Sequence, residues 1–312
     1  MRAAEIRTPG SSPVVAERAE PAGAVVVDVT AAPITPLDLL CATGTSYFGT
    51  PATPYVPGVQ GVGALADGTP VWFATPAGMA PGDGSMAQRA GVTADDVVAL
   101  PTGVDPVLVA ALGLSAVAAW MCLTWRGRLA PGETVVVLGA GGVVGEAAVQ
   151  LARLAGAGRV VACARSGDAL ERARAHGADA TVVLDGDDVA ARLAAATGDG
   201  ADLVIDPLAG APAAAALSTL RPGGRLVNLG GSAAPAVEVD SATLRSRSLD
   251  VLGYTNNSLD PDRRRDAVQA VARFAAAGEL TVRHERVPLA DAADAWTRQG
   301  DGSARGRVVL VP

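Results

Sequence analysis

A chain of 312 residues exceeds what one hydrophobic core usually serves, so two domains are expected. Hydrophobic residues at 49% and charged residues at 18% fit a globular protein and exclude a disordered or coiled-coil chain. The formal charge of −7, with no basic stripe, argues against nucleic acid as a partner.

Met1 to Gly10 carries Arg2, Glu5 and Arg7 and no apolar segment, so no secretory leader is read there. No membrane-spanning run is expected either. Cys41, Cys122 and Cys163 are scattered and odd in number, which points to a reducing cytoplasm without a disulfide framework.

In chain order, Val25–Val29, Gly61–Ala66 and Val71–Ala74 read as short strands, and Ala77–Ser85 as a loop. A long apolar helix follows over Val107–Thr124, ended by Leu129-Ala130-Pro131-Gly132. Strands and helices then alternate. The strands are Thr134–Leu138, Arg159–Ala164, Ala180–Leu184, Leu203–Asp206, Arg225–Leu229 and Leu249–Gly253. The helices between them are Gly145–Ala155, Asp168–His176, Asp188–Ala196 and Ala211–Leu220. This order specifies an α/β domain with a doubly wound parallel sheet covered on both faces. Helix Pro261–Ala277 and strands near Val282–Val287 and Arg307–Val311 resemble the first segment in texture. The tail is therefore expected to return to the N-terminal domain, giving one domain from 1–114 with 259–312 and another from 115–258.

The glycine loop is the most informative stretch. Strand Thr134–Leu138 runs into Gly139-Ala140-Gly141-Gly142-Val143-Val144-Gly145 and then a helix. A pyrophosphate needs backbone N–H groups at a helix N-terminus and no β-carbons in the way. The usual G-x-G-x-x-G spacing is missed by one residue, whereas Gly139-x-x-Gly142-x-x-Gly145 holds. Gly139, Gly141, Gly142, Val143, Val144 and Gly145 are the expected cofactor-binding residues. At the end of the next strand, a site for NAD usually has an acid that grips both ribose hydroxyls. Here Arg165 and Ser166 stand instead, and a guanidinium matches a 2′-phosphate. The expected cofactor is NADPH.

With those residues in view, the chain resembles the medium-chain dehydrogenase/reductase superfamily, in its zinc-free quinone oxidoreductase and enoyl reductase branch. The resemblance rests on Ala32–Asp38, Pro54–Gly63, the glycine loop, Asp202–Pro207 and Arg221–Gly230, in that order. It implies a Rossmann domain plus a mostly-β GroES-like catalytic domain made from both chain ends, with cofactor in the cleft between domains. It also implies a homodimer joined through the strand near Leu249–Gly253.

Zinc-dependent relatives carry Cys at the place of Thr35 and His-Glu at Val59-Gln60. Thr35 and Val59 cannot replace thiolate and imidazole, and Trp72 to Val98 holds no Cys for a structural zinc lobe. His176 and His284 stand alone and read as structural. No metal is expected.

Hydride can reach a quinone, or an alkene conjugated to a carbonyl, without a Lewis acid, provided donors face the developing oxyanion. Tyr47 is the candidate donor, and Tyr55 and Cys41 read as packing. Leu229 and Gly230, at a carboxyl end of the sheet, and Asn256, after the last sheet strand, are further cofactor candidates. Pro222-Gly223-Gly224 reads as a plain turn at the opposite end. The expected activity is NADPH-dependent reduction of a small quinone or enone. The alternatives are a tailoring reductase for one biosynthetic intermediate, or a nucleotide-binding protein without catalysis.

Overall fold

The computed structural model describes residues 1–312 and divides into two compact units. One comprises Met1–Gly113 with Asp260–Pro312, and the other Leu114–Leu259. The first unit opens with an antiparallel pair, β1 (Arg2–Glu5) and β2 (Val14–Glu17). Its larger sheet holds β3 (Val25–Pro33), β4 (Gln60–Ala64), β5 (Pro70–Ala74), β6 (Arg89–Val92), β7 (Val97–Ala99), β14 (His284–Pro288) and β15 (Arg307–Val311). The strand order is β14-β15-β3-β4-β5-β7, with β6 also pairing β3. All its pairings are antiparallel except β14 with β15. Ile6, Ile34, Phe73, Met86, Trp296 and Leu310 lie in its core.

Helix α1 (Pro36–Thr43) shows how local chemistry sets an element. Thr35 is the N-cap, Pro36 supplies a preset φ in the first turn, and Gly44 ends the helix at φ 74°. The sequence reading missed α1, β1 and β2 because each is short and lacks a sustained period. It also ended β3 at Val29, four residues early.

The second unit carries a six-stranded parallel sheet: β8 (Thr134–Leu138), β9 (Arg159–Ala164), β10 (Ala180–Val183), β11 (Ala201–Asp206), β12 (Leu220–Asn228) and β13 (Asp250–Gly253). The order β10-β9-β8-β11-β12-β13 is doubly wound, and it reverses between β8 and β11. Every side chain of β8 is buried, as a strand covered on both faces requires. Helices α3 (Val143–Leu154), α4 (Gly167–Ala175), α5 (Val189–Thr197), α6 (Gly210–Leu217) and α7 (Ser241–Arg247) connect these strands. Val136, Leu138, Val161, Leu193, Val204 and Leu226 belong to one core, each worth about 1.5–3 kcal/mol on burial. The fold is thus α/β, with a Rossmann-type parallel sheet and a separate, mostly antiparallel one.

Two expectations need correction. Pro222-Gly223-Gly224 is not a separate turn: it lies within β12, where the register to β11 shifts between Ala201 and Leu203. The expectation of no membrane-length apolar run also fails. Pro106–Arg126 spans 21 residues with mean hydropathy 2.1. Its most apolar window is 78% buried inside the protein, as in a core helix. Within it, α2 (Pro106–Met121) is broken at Gly113 (φ 34°, ψ −138°), where the unit boundary falls. Helices α8 (Pro261–Ala276) and α9 (Ala292–Asp301) complete the first unit.

Candidate functional site

The carboxyl ends of β8, β9, β11 and β12 bring the expected nucleotide-binding residues together. Gly139 leaves β8 at φ 66°, and Gly142 becomes the N-cap of α3. Helix α3 therefore starts at Val143, two residues before the glycine at which the sequence reading began it. No side chain caps it, and the N–H groups of Val143, Val144 and Gly145 meet no protein acceptor. A β-carbon on Gly145 would overlap the Gly139 carbonyl and stand 2.7 Å from the Ala140 Cα. Around Gly142 the protein leaves space, the nearest atom to an added β-carbon being 3.7 Å away. The third glycine thus lets the helix close on its own loop, and the second keeps an open cradle before uncapped donors. Such a cradle fits a pyrophosphate.

Beside the cradle, a β-carbon on Gly141 would stand 3.1 Å from the Ala169 Cβ in the first turn of α4. That contact ties the loop to the end of β9. Ser166 is the N-cap of α4, yet its hydroxyl makes no capping hydrogen bond. Arg165 is exposed and makes no ion pair or hydrogen bond. No acid occupies either position.

On the other side, Gly139 faces Pro207 and Leu208, 3.3 and 3.0 Å from an added β-carbon. Gly230 in turn approaches the Pro207 carbonyl, 2.9 Å from its own added β-carbon. Leu229 N–H donates to the Asp206 carbonyl at 2.9 Å. Asp206 is fully buried and holds this region, which the sequence reading did not single out beyond its place in a motif. Its Oδ1 accepts from Leu208 N–H and Ala209 N–H, both at 2.9 Å, and its Oδ2 from Asn228 Nδ2 at 2.8 Å. The signal was an acid directly after the apolar buried run Leu203–Ile205.

Asn256 lies in a short turn after β13. Its Nδ2 donates to the Leu114 carbonyl at 3.1 Å, and its Oδ1 accepts from the Tyr254 hydroxyl at 2.7 Å. One N–H of the amide remains for a ligand.

In the first unit, Asp38 organises the segment that holds Thr35 and Val59. Its Oδ2 accepts from Thr35 N–H and hydroxyl, and its Oδ1 from Gly58 N–H and Val59 N–H. Burial pushes its carboxyl above the usual range, opposed by those bonds and the Arg307 charge. Burial lowers Arg307 to about 10, opposed by Asp38, so it stays cationic near neutrality. Gln60 accepts from Trp72 Nε1 at 3.0 Å. No three His, Cys, Asp or Glu side chains converge as a metal-ligand set. His176 is not isolated, however: its Nε2 stands 3.3 Å from Glu146 Oε1.

Tyr47 is 78% exposed, with its ring 4.2 Å from that of Phe48 and its hydroxyl unpaired. Tyr55 is buried, its hydroxyl has no partner, and burial pushes its pKa up. Cys41 is buried and its thiol is likewise pushed up, first by burial and then by Asp38, which disfavours thiolate chemistry.

The family model described as zinc-binding dehydrogenase matches residues 143–276. The solved quinone oxidoreductase of Thermus thermophilus, also known in complex with NADPH, is 30% identical with a TM-score of 0.83, and the match covers 100% of both chains. The chain belongs to the medium-chain dehydrogenase/reductase superfamily. Within that superfamily it falls in the zinc-free quinone oxidoreductase and enoyl reductase branch, and it is an oxidoreductase. A mycobacterial quinone oxidoreductase shares the fold at TM-score 0.89, with 22% identity and 100% of both chains covered. A phenolphthiocerol/phthiocerol polyketide synthase of Mycobacterium tuberculosis is 32% identical over 305 residues, 94% of this chain. The chain spans 14% of that protein's length. The zinc named in the family description does not fit this member: Thr35, Val59 and Gln60 offer no thiolate–imidazole set.

Proposed function

We propose that this reductase uses NADPH to reduce a small quinone or the conjugated C=C bond of an enone. One observation carries the reading: an uncapped glycine cradle stands beside an exposed, unpaired Arg165 and an uncommitted Ser166 hydroxyl, with no acid there. The N–H groups of Val143, Val144 and Gly145 receive the pyrophosphate, and Arg165 with Ser166 receives the 2′-phosphate. Leu229, Gly230 and the remaining Asn256 N–H contact the rest of the cofactor. When bound, NADPH supplies the hydride. The Tyr47 hydroxyl donates to the carbonyl oxygen on which charge develops, so no metal is required.

The match to part of a polyketide synthase favours a narrower second reading, reduction of the conjugated alkene in one biosynthetic acyl intermediate. Strand β13 pairs only with β12, so its free edge supports a homodimer. Three free buried cysteines support a reducing, cytoplasmic setting.

Initial rates of NADPH consumption with a small quinone, a small enone and an enoyl thioester test the reading. Turnover of the quinone or enone is expected, and turnover of the thioester alone would select the narrower reading. NADPH consumption with none of the three would contradict both.

A further inference from the structure

We propose that Asn228 and Asp206 are positioning residues that pre-form one wall of the nucleotide cradle, an inference that rests on the cofactor reading above. Three loops meet here, after β8, β11 and β12, where the strand order reverses. The Asn228 amide sits at that meeting point. Its Nδ2 donates to Asp206 Oδ2 at 2.8 Å and to the Gly230 carbonyl at 2.9 Å. One side chain thereby joins the end of β11 to the loop after β12.

The other oxygen of Asp206 completes the link. By accepting from Leu208 N–H and Ala209 N–H, it holds the turn Pro207–Ala209 against Gly139. Ala209 adopts φ 60° and ψ −162° there, a conformation that strains a non-glycine residue. Ala209 is only 5% exposed, and the turn is further held where Ala233 N–H donates to the Leu208 carbonyl at 2.9 Å. A strained turn persists only where its surroundings over-determine it, and the Asp206–Asn228 pair is the centre of those surroundings. Both carboxylate oxygens of the buried Asp206 are thus committed to backbone and amide donors, which fixes their geometry.

The consequence is pre-organisation. The Pro207–Ala209 turn and Gly230 stand ready beside the glycine loop before a ligand arrives, so binding need not order them. Asp206→Asn is nearly isosteric and isolates this role. Whichever way the new amide is turned, its NH2 group faces either Asn228 Nδ2 or the Leu208 and Ala209 N–H groups, donor against donor.

NADPH titration followed by fluorescence, with amide hydrogen exchange of the ligand-free protein, tests the inference on wild type, Asp206→Asn and Asn228→Ala. In both variants the dissociation constant is expected to rise at least about tenfold, the size of a single lost hydrogen bond, since Asn228→Ala removes two. Exchange at Leu208 and Ala209 should accelerate while exchange along β8 and β9 stays protected. The double substitution Asp206→Asn with Asn228→Asp re-forms the link with its direction reversed and should recover part of the affinity relative to Asn228→Asp alone. Variants that are less stable but bind NADPH as wild type does would overturn the positioning role and leave the cofactor reading standing. A wild type that fails to bind NADPH would instead overturn the cofactor reading itself.

Discussion

The Gly139 carbonyl oxygen occupies the space that a β-carbon on Gly145 would need. The neighbouring Ala140 Cα, 2.7 Å from that point, blocks retreat on the second side, and both obstacles are backbone. Gly145→Ala must therefore push the first turn of α3 off its loop. Such overpacking costs about 1–3 kcal/mol and displaces the uncapped N–H groups. A lower melting temperature and an NADPH affinity reduced at least about tenfold are expected. Calorimetry with cofactor titration checks both, and unchanged binding would remove these N–H groups from the cradle.

Acid should weaken the second unit through Glu133. Burial alone would raise its pKa, but Arg225 donates to both carboxylate oxygens, at 2.8 and 2.5 Å, and Ala130 N–H adds a third bond. The carboxyl is held below the usual 4.5, so its contribution to stability is complete above that pH. The contribution fades as pH falls through the lowered folded value. Glu133→Gln should cost about 2 kcal/mol near neutrality, and the gap to wild type should narrow below pH 4.5. Denaturant melts from acid to neutral pH measure this, and a gap that stays constant would argue against the pair.

Loss of a donor at a developing oxyanion costs about 10²-fold in turnover. Tyr47→Phe removes the only polar atom of a side chain whose hydroxyl has no protein partner. Turnover should fall by about that factor while NADPH affinity stays nearly constant, as steady-state kinetics and titration would show. Wild-type turnover would return Tyr47 to the surface.

Thr35 and Val59 both hydrogen-bond to Asp38, and neither side chain can replace the thiolate or imidazole of a zinc site. Purified protein is expected to carry no stoichiometric zinc and to keep its activity in chelator. One tightly held zinc per chain, found by elemental analysis, would contradict this.

How legible each part was depended on whether its signal is local. The parallel sheet could be read because β8 and β9 are apolar runs between turn residues, and β9 was placed to the residue. The glycine loop could be read because strand, glycines and helix follow one another directly. The links of Asp38 to Gly58 and Val59 and of Asn228 to Asp206 could not, since those partners lie 20–21 and 22 positions away and a spacing pattern does not encode which groups will meet. The interior of β12 was misread for the opposite reason. Pro222-Gly223-Gly224 has strong turn chemistry, yet pairing with β11 resumes beyond it and absorbs it as an irregularity.

The most direct test of the NADPH assignment is titration of NADPH and NADH into wild type and Arg165→Ala at one salt concentration. An exposed charge-assisted pair with the 2′-phosphate is worth roughly 1.5–3 kcal/mol. Since no second basic group stands at Ala169, the preference should lie near the lower end, about tenfold for NADPH. Arg165→Ala should lose most of that preference by weakening NADPH and leaving NADH almost untouched. Equal binding of the two cofactors by the wild type would contradict the account.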